Sequence, residues 1–302
     1  MEPTLPNTPP NSIVWRIVHF PLVLLGIGMT LVLGSQIAIY RLAYFLAIPK
    51  QAWTGVLIAV CAAGLAMVVY AIFVRFVERR DGVAEFGARG WAKELGGGLL
   101  GGVLLFTVVA GIIAAMGGYR VVGLNPVTVL IPVLALSITS GVVEEIIVRG
   151  LIFRIVESSL GSWIALIISA VLFGAGHLGN QNSGLLPAIA IALEAGIMLA
   201  ALYMITRRLW AAIGLHAAWN FTQGGIYGFP VSGGAVDGVL KPVVSGPEWL
   251  TGRAFGPEAS LPAIIVCTAF GIALLVIAHR RGRFVAPFWL RSKLVHSPDL
   301  QE

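Results

Sequence analysis

Charged side chains are scarce in this chain: Asp, Glu, Lys and Arg make up only 11% of its 302 residues. A soluble domain of this length carries about 25% charged residues, so this composition leaves too little polar surface for a water-soluble fold. Apolar residues instead account for 58% of the chain, and the mean hydropathy is +0.91. These proportions indicate a polytopic membrane protein.

Cysteine and localised positive charge are also lacking. The two cysteines, Cys61 and Cys267, lie inside apolar runs without a partner at metal-ligand spacing, which excludes a disulfide framework and a thiolate metal site. The 20 Lys and Arg outnumber the 14 Asp and Glu, but they lie between apolar segments rather than on one face. We therefore expect no nucleic-acid partner, and a lipid bilayer as the surroundings.

Eight apolar stretches are long enough to cross a bilayer, which takes about 20 residues per helix. No alternation typical of barrel strands is present, and open sheets cannot span lipid, so the expected fold class is all-α with eight transmembrane helices. The predicted spans are Ile17 to Tyr40, Ala52 to Val74, Leu95 to Tyr119, Pro126 to Val143, Ser158 to Gly176, Leu185 to Ile205, Leu209 to Tyr227 and Leu261 to Ala278.

The distribution of Lys and Arg predicts that both termini are cytoplasmic. An even number of spans places both termini on one side, and cytoplasmic loops are enriched in Lys and Arg. Fifteen basic residues then fall on the inner side: Arg16, Arg75, Arg79, Arg80, Arg89, Lys93, Arg149, Arg154, Arg207, Arg208, Arg280, Arg281, Arg283, Arg291 and Lys293. Five fall on the outer side: Arg41, Lys50, Arg120, Lys241 and Arg253.

Small residues in the third span predict close helix packing. Gly96, Gly97, Gly98, Gly101 and Gly102 have small-xxx-small spacing, which lets helix backbones approach one another in a membrane.

Ionisable residues at membrane depth are costly and are therefore functional candidates. In the fourth span, Glu145 and Arg149 are spaced i,i+4, so their side chains meet on one helical face and neutralise each other. Glu144 points well away from Arg149 at 100° per residue. It is left as a free carboxylate that needs a cavity, another helix or water.

Two later spans add polar groups with the same one-turn spacing. Phe173 and His177 share a face of the fifth span, with glycines between them that allow another helix to approach. His216 and Asn220 share a face of the seventh span, where they can hold a reacting atom between an imidazole and a carboxamide. Taken singly, each pair is comparably explained by packing or by an interhelical hydrogen bond.

The depth of these residues predicts that they meet. Glu144 and His177 lie about 22 to 26 Å from the turn at Ser159–Gly161, at 1.5 Å per residue, and are therefore level within one helical turn. His216 lies about 12 Å from the turn at Arg208. We expect the fourth and fifth spans to protrude at this end by about two turns, and the cluster to open to the cytoplasm in the inner half of the membrane.

Together and in order, the three motifs resemble the CPBP family, which contains CAAX proteases and bacteriocin-processing enzymes and is also called Abi. The motifs are Glu144-Glu145-x-x-x-Arg149, Phe173-x-x-x-His177 and His216-x-x-x-Asn220. The resemblance covers about residues 126 to 227, and no motif residue departs from the pattern.

The resemblance implies an intramembrane endopeptidase, of CAAX prenyl protease type, acting on membrane-associated or lipidated peptides. By this analogy Glu144 activates water, Glu145, Arg149 and Phe173 support the site, His177 and His216 hold water or metal and polarise the carbonyl, and Asn220 completes the oxyanion pocket. Glu144, His177 and His216 could bind one zinc ion with an open coordination position, and the same groups could act without metal. Both mechanisms remain open at this point.

These inferences divide the chain into five parts. They are a disordered cytoplasmic N-terminus (1–16), three transmembrane helices (17–119), catalytic helices 4 to 7 (120–227), an outer loop (228–260), and helix 8 with a basic tail (261–302). Short loops and the Ala/Gly/Arg-rich composition favour a bacterial plasma membrane.

Two other functions remain open. A non-catalytic membrane scaffold or bacteriocin-immunity protein could keep the polar cluster for helix register. A proton-coupled transporter could use Glu144, Glu194 and the histidines as a relay, although the chain has no clear inverted repeat.

Overall fold

The computed structural model describes residues 12–49 and 51–295, with side chains described as far as Arg291. The chain is mostly helical, as predicted. Within the described ranges, seven helices are long and apolar enough to cross a membrane. They are Pro21–Phe45, Ala52–Val77, Trp91–Ala115, Val127–Leu160, Ser162–Gly179, Leu185–Thr206 and Leu261–Arg280.

The remaining predicted span, Leu209 to Tyr227, forms a shorter helix. Its α-helical part, Trp210–Asn220, continues as a π-helical turn over Phe221–Ile226. Most of its residues are buried by neighbouring helices rather than facing outward. Length and composition alone therefore do not mark it as a span, and the count of eight stays a prediction.

The α-helices are, in chain order, α1 Ile13–Val18, α2 Pro21–Phe45, α3 Ala52–Ile72, α4 Trp91–Ala115, α5 Leu130–Thr139, α6 Arg154–Leu160, α7 Ser162–Gly176, α8 Leu185–Ile191, α9 Ile197–Thr206, α10 Trp210–Asn220, α11 Glu248–Thr251, α12 Leu261–Arg280 and α13 Phe288–Val295. Two strands, β1 (Tyr119–Leu124) and β2 (Leu240–Val244), pair antiparallel with a register shift between Val121 and Gly123. This antiparallel pair joins two loops that are far apart in the sequence, and it was not predicted.

The N-terminal prediction needs one correction. Ser12 accepts a hydrogen bond from the backbone N–H of Trp15 and so begins α1, which makes residues 13–16 helical rather than disordered. Residues 1–11 of the predicted disordered segment lie outside the described residues, as do Lys50 and residues 296–302.

The fourth span continues past its predicted end at Val143. Two π-helical segments, Ser140–Glu144 and Ile146–Phe153, join α5 to α6 without a break. A π-turn adds one residue per turn, and such turns occur frequently at functional sites. The irregular helix thus carries the Glu144, Glu145 and Arg149 side chains in the middle of its length.

Helices α4 and α10 pack at backbone contact, as the glycine spacing predicted. A Cβ on Gly98 would lie 2.2 Å from the carbonyl oxygen of Ala211, and one on Gly102 would lie 2.4 Å from that of Leu215. Gly96 and Gly97 have open space instead. Because only a residue without a Cβ fits at this contact, the seam between α4 and α10 fixes the position of the helix that carries His216.

The two ends of the helical bundle differ in chemistry. One end, here called the basic end, is formed by residues 75–94, 154–162, 205–210 and 280–291. It is held together by ion pairs between loops: Arg154 with Glu78 at 2.8 Å, Arg207 with Glu157, and Arg208 with Glu94. The other end, here called the loop end, is formed by residues 116–129, 177–184 and 228–260 and includes the β1–β2 pair.

Candidate active site

The ion pair of Glu145 and Arg149 forms the closed base of the site. Their side chains are fully buried and meet at 2.8 Å, as the i,i+4 spacing predicted. Arg149 also donates to the carbonyl oxygens of Ala195 at 2.9 Å and Gly196 at 3.2 Å. These residues are in or beside a π-helical turn, Ala192–Gly196. A charged pair with these added hydrogen bonds joins two helices rigidly in a low-dielectric interior.

Glu144, the next residue in the chain, lies in a different environment. Its side chain is 36% exposed and faces a cleft, whereas Glu145 is inaccessible. Its Oε2 atom lies 3.9 Å from the Nε2 atom of His216, beyond hydrogen-bond distance. Adjacent positions on a helix point about 100° apart, so one glutamate supports the interior while the other meets solvent.

The ring of His216 is oriented by the buried ion pair. Its Nδ1 atom lies 2.9 Å from Oε1 of Glu145. A carboxylate oxygen accepts, so Nδ1–H donates, and Nε2 is directed towards Glu144. The Glu145–Arg149 pair predicted from the sequence thus also holds His216, a residue on another helix.

His177 is oriented by the backbone of its own helix. Its Nδ1 atom donates to the carbonyl oxygen of Phe173 at 2.8 Å, because a carbonyl can only accept. The Phe173 ring packs edge-on against His177, with centroids 4.9 Å apart, and against His216 at 6.0 Å. The Arg149 guanidinium lies 4.7 Å from the centre of the same ring. Phe173 therefore holds three functional side chains at fixed separations.

Of the two glycines that follow Phe173, one matches the predicted close helix approach. A Cβ on Gly174 would lie 2.2 Å from the carbonyl oxygen of Ala188 in α8, whereas Gly176 has open space.

Asn220 is linked to a residue that the sequence analysis missed. Its Nδ2 atom donates to Oγ of Ser140 at 2.9 Å. Ser140 lies one helical turn before Glu144, and its position on the same face was a signal available in the sequence. The amide is thereby oriented from α10 towards the helix that carries Glu144.

Side chains from three helices line one cleft of about 420 Å³. The predicted residues Glu144, His177, His216 and Asn220 all face it. Two loop segments complete the lining, residues 179–181 and residues 231–234. The structure therefore brings together the four side chains that the motifs singled out.

A second groove meets the cleft at Glu144 and Ser140, which line both. It has a volume of about 380 Å³ and runs along α5, where Tyr40 of α2 and Ala59 of α3 form the opposite wall. The groove therefore leads between α2, α3 and α5 to the Glu144 side chain.

The direction in which the cleft opens corrects the prediction made from depth. The cleft is lined by the 177–184 and 228–260 loops, so it opens at the loop end and not at the basic end. Helix α7 has only 15 residues and ends beside His177. The site is therefore reached at the loop end and not at the end where a protrusion was expected.

Behind the cleft lies a small cavity of about 30 Å³, which is large enough to hold a water molecule. Glu194 and Glu258 line it together with both histidines and Asn220. Arg149 donates to backbone carbonyls of the π-helical turn that carries Glu194. Glu258 accepts hydrogen bonds from the backbone N–H of Ser232 at 2.6 Å and from its hydroxyl at 3.0 Å. Burial raises the pKa of the Glu258 carboxyl, and these two hydrogen bonds oppose the shift.

The residues considered as zinc ligands do not form a metal centre as arranged. In the described part of the chain, no three His, Cys, Asp or Glu side chains lie close enough together to hold a metal ion. The Nδ1 atoms of both histidines are hydrogen-bonded, which leaves Nε2 of each ring as its possible ligand atom.

The fold and the site together define a mostly helical, multi-pass membrane protein with a polar cleft between its later helices. Residues 126–222, about a third of the chain, match the family described as Type II CAAX prenyl endopeptidase Rce1-like. This match confirms the resemblance to the CPBP family and supports a role as a membrane protease. No curated protein and no solved structure matches the chain.

Proposed function

We propose that this protein is an intramembrane endopeptidase that uses a glutamate-activated water. In this proposal the shorter α10 helix with its π-helical extension is an eighth transmembrane helix, and both termini are cytoplasmic. Residues 120–227 are the catalytic part, and a bacterial plasma membrane is the expected location. The observation that supports the proposal most strongly is that Glu144, His177, His216 and Asn220 line one solvent-accessible cleft.

Glu144 is the general base of the proposed reaction. A water molecule between its carboxylate and the substrate carbonyl loses a proton to Glu144 as its oxygen attacks the carbonyl carbon. When the tetrahedral intermediate collapses, the C–N bond breaks and Glu144 returns the proton to the leaving amine. The free carboxylate suits this role because it faces the cleft and is not held in the buried ion pair.

The groups around Glu144 polarise the scissile carbonyl. Nδ1–H of His177 and of His216 is donated elsewhere, which leaves Nε2 of each ring for the cleft. In the protonated ring Nε2–H donates to the scissile carbonyl, and in the neutral ring Nε2 accepts a hydrogen bond from the attacking water. The Asn220 amide has a second N–H besides the one donated to Ser140 and adds a neutral donor. Donors aimed at the developing oxyanion contribute most in a site that excludes bulk water.

The substrate class follows from the groove that meets the cleft. A peptide carrying a lipid or an apolar segment can place its apolar part along α5, in contact with the bilayer, while its peptide bond reaches Glu144. This arrangement fits membrane-associated or lipidated substrates, in which an apolar anchor lies beside the cleaved bond.

Substitution of Glu144 by Gln tests the proposal. The variant keeps the size of the side chain but cannot take a proton, so we expect the rate of peptide cleavage in proteoliposomes to fall by about 10²- to 10⁴-fold. Because Glu144 lies outside the buried ion pair, its thermal unfolding in detergent should match that of the wild type.

The matched comparison is Glu145→Gln, the same change one residue later. That variant should lose stability as well as activity, because it leaves Arg149 buried without its carboxylate partner. Unchanged cleavage by Glu144→Gln would contradict the proposed mechanism. A scaffold or immunity protein predicts instead that the wild type cuts no peptide at all.

A further inference from the structure

The cleft and the basic loops lie at opposite ends of one helix. The helix is α7, and its first residue, Ser162, accepts a hydrogen bond from the backbone N–H of Val285 at the basic end, shortly after α12. At the other end of α7, His177 faces the cleft. The helix has 15 residues and spans about 22 Å at 1.5 Å per residue, which is most of the thickness of a bilayer core.

The basic end carries most of the Lys and Arg of the chain. Arg149 is fully buried inside the bundle and does not belong to a loop, and twelve of the 20 Lys and Arg lie in the segments of the basic end. The segments of the loop end contain three, Arg120, Lys241 and Arg253. Lys and Arg near the ends of spans favour the cytoplasmic side, and no single residue changes this imbalance.

The two loops that line the cleft are held together by hydrogen bonds. Asn180 donates to the carbonyl oxygen of Ser232 at 3.0 Å, and Asn182 donates to that of Gly233 at 3.1 Å. Ser232 is in turn held by Glu258. The two loops are thereby fastened together beside His177, which fixes the entrance to the loop end.

We propose that the cleft faces the side of the membrane away from the cytoplasm and that it cleaves polypeptides which reach the bilayer from that side. The substrate class is an exported chain with a lipid or membrane anchor, rather than a prenylated C-terminus made in the cytoplasm. The orientation of the cleft stands on the geometry and charge distribution, whereas the substrate class also rests on the proposed function.

Thiol labelling in intact cells tests the orientation. The native cysteines are first replaced (Cys61→Ser and Cys267→Ala), and a single cysteine is then placed at either end. Gln181→Cys lies at the exposed rim of the cleft, and Gly82→Cys lies in the basic end at an exposed position with open space around it. A membrane-impermeant maleimide should label Gln181→Cys in intact cells and Gly82→Cys only after permeabilisation. The reverse pattern, or equal labelling of both variants in intact cells, overturns the proposal.

A sided cleavage assay then tests the substrate class separately. Proteoliposomes sorted by this labelling receive a quenched fluorescent peptide attached to an acyl chain, added outside only. We expect cleavage in vesicles whose loop end, marked by Gln181, faces outward. Cleavage should be lost in inverted vesicles and in the Glu144→Gln variant. Cleavage only in inverted vesicles overturns the substrate class. No cleavage in either orientation or in detergent, together with the expected labelling, overturns the proposed protease function while the orientation stands.

Discussion

The two ends of the bundle use charged side chains in opposite ways. At the basic end, Arg154, Arg207 and Arg208 each pair with a glutamate from another segment, so the charges connect loops. In the cleft that opens at the loop end, Glu144 has a partly exposed side chain, and its carboxylate lies 3.9 Å from the imidazole of His216. Charge that is paired supports the structure, and charge held near a cleft without a close partner is available for chemistry.

The same contrast occurs on a single helix. Glu144 and Glu145 are neighbours in the chain, yet one faces the cleft and the other lies in the interior. The buried Glu145 carboxylate orients the His216 ring towards the cleft. Glu145 therefore acts on the neighbourhood of Glu144 through the imidazole of His216.

The largest expected effect is on stability at the buried pair. Arg149→Met removes the partner of a fully buried carboxylate, so we expect the free energy of unfolding to fall by about 3 to 5 kcal/mol. Denaturant titration in detergent micelles measures it. Arg253→Met serves as the control, because this arginine is exposed and makes a long contact of 3.9 Å with exposed Glu248. Its free energy of unfolding should change little. Equal stability of the two variants would contradict the structural role of the pair.

The next effect is on catalysis at the cleft. Asn220→Ala removes a donor aimed at the proposed oxyanion, and we expect kcat to fall by about 10²- to 10³-fold. Ser140→Ala keeps the amide but removes the hydrogen bond that orients it, so its loss should be about tenfold, the equivalent of one hydrogen bond. Steady-state kinetics with one anchored peptide compares them. If Ser140→Ala costs as much as Asn220→Ala, the amide is not the reacting group.

A smaller effect is expected at the helix contact that positions α10. Gly102→Ala places a methyl group against the carbonyl oxygen of Leu215, and overpacking of this kind costs about 1 to 3 kcal/mol. The matched variant, Gly97→Ala, adds the same methyl group to the same helix where no atom lies within 4 Å. The difference in thermal unfolding between the two variants reports the contact, and its absence would refute the close seam.

The smallest effect is expected at the basic end. Arg207→Met removes a partly exposed ion pair with Glu157, which should change stability by less than about 1 kcal/mol. The cleavage rate should remain that of the wild type, since Arg207 lies at the opposite end from the cleft. A large loss of activity without loss of stability would show that the two ends are coupled.

Several features of the fold and site could be predicted from local spacing. The helical class, the Glu145–Arg149 pair and the close packing at Gly98 and Gly102 follow from helical periodicity, which is set within a few residues. The contacts of Ser140 and Glu258 could not be predicted in this way. Both depend on which segments meet across the bundle, and Glu258 comes from a loop more than 60 residues beyond Glu194.

By itself the sequence determined that the chain is a helical membrane protein and which of its few polar residues must share a helical face, because bilayer thickness and helix geometry act locally. Only the tertiary structure decided that Glu144 meets the cleft while Glu145 stays buried, and that the cleft opens at the end away from the basic loops. Those outcomes depend on π-helical turns and on the short length of α7, which set depth and direction through contacts between distant segments.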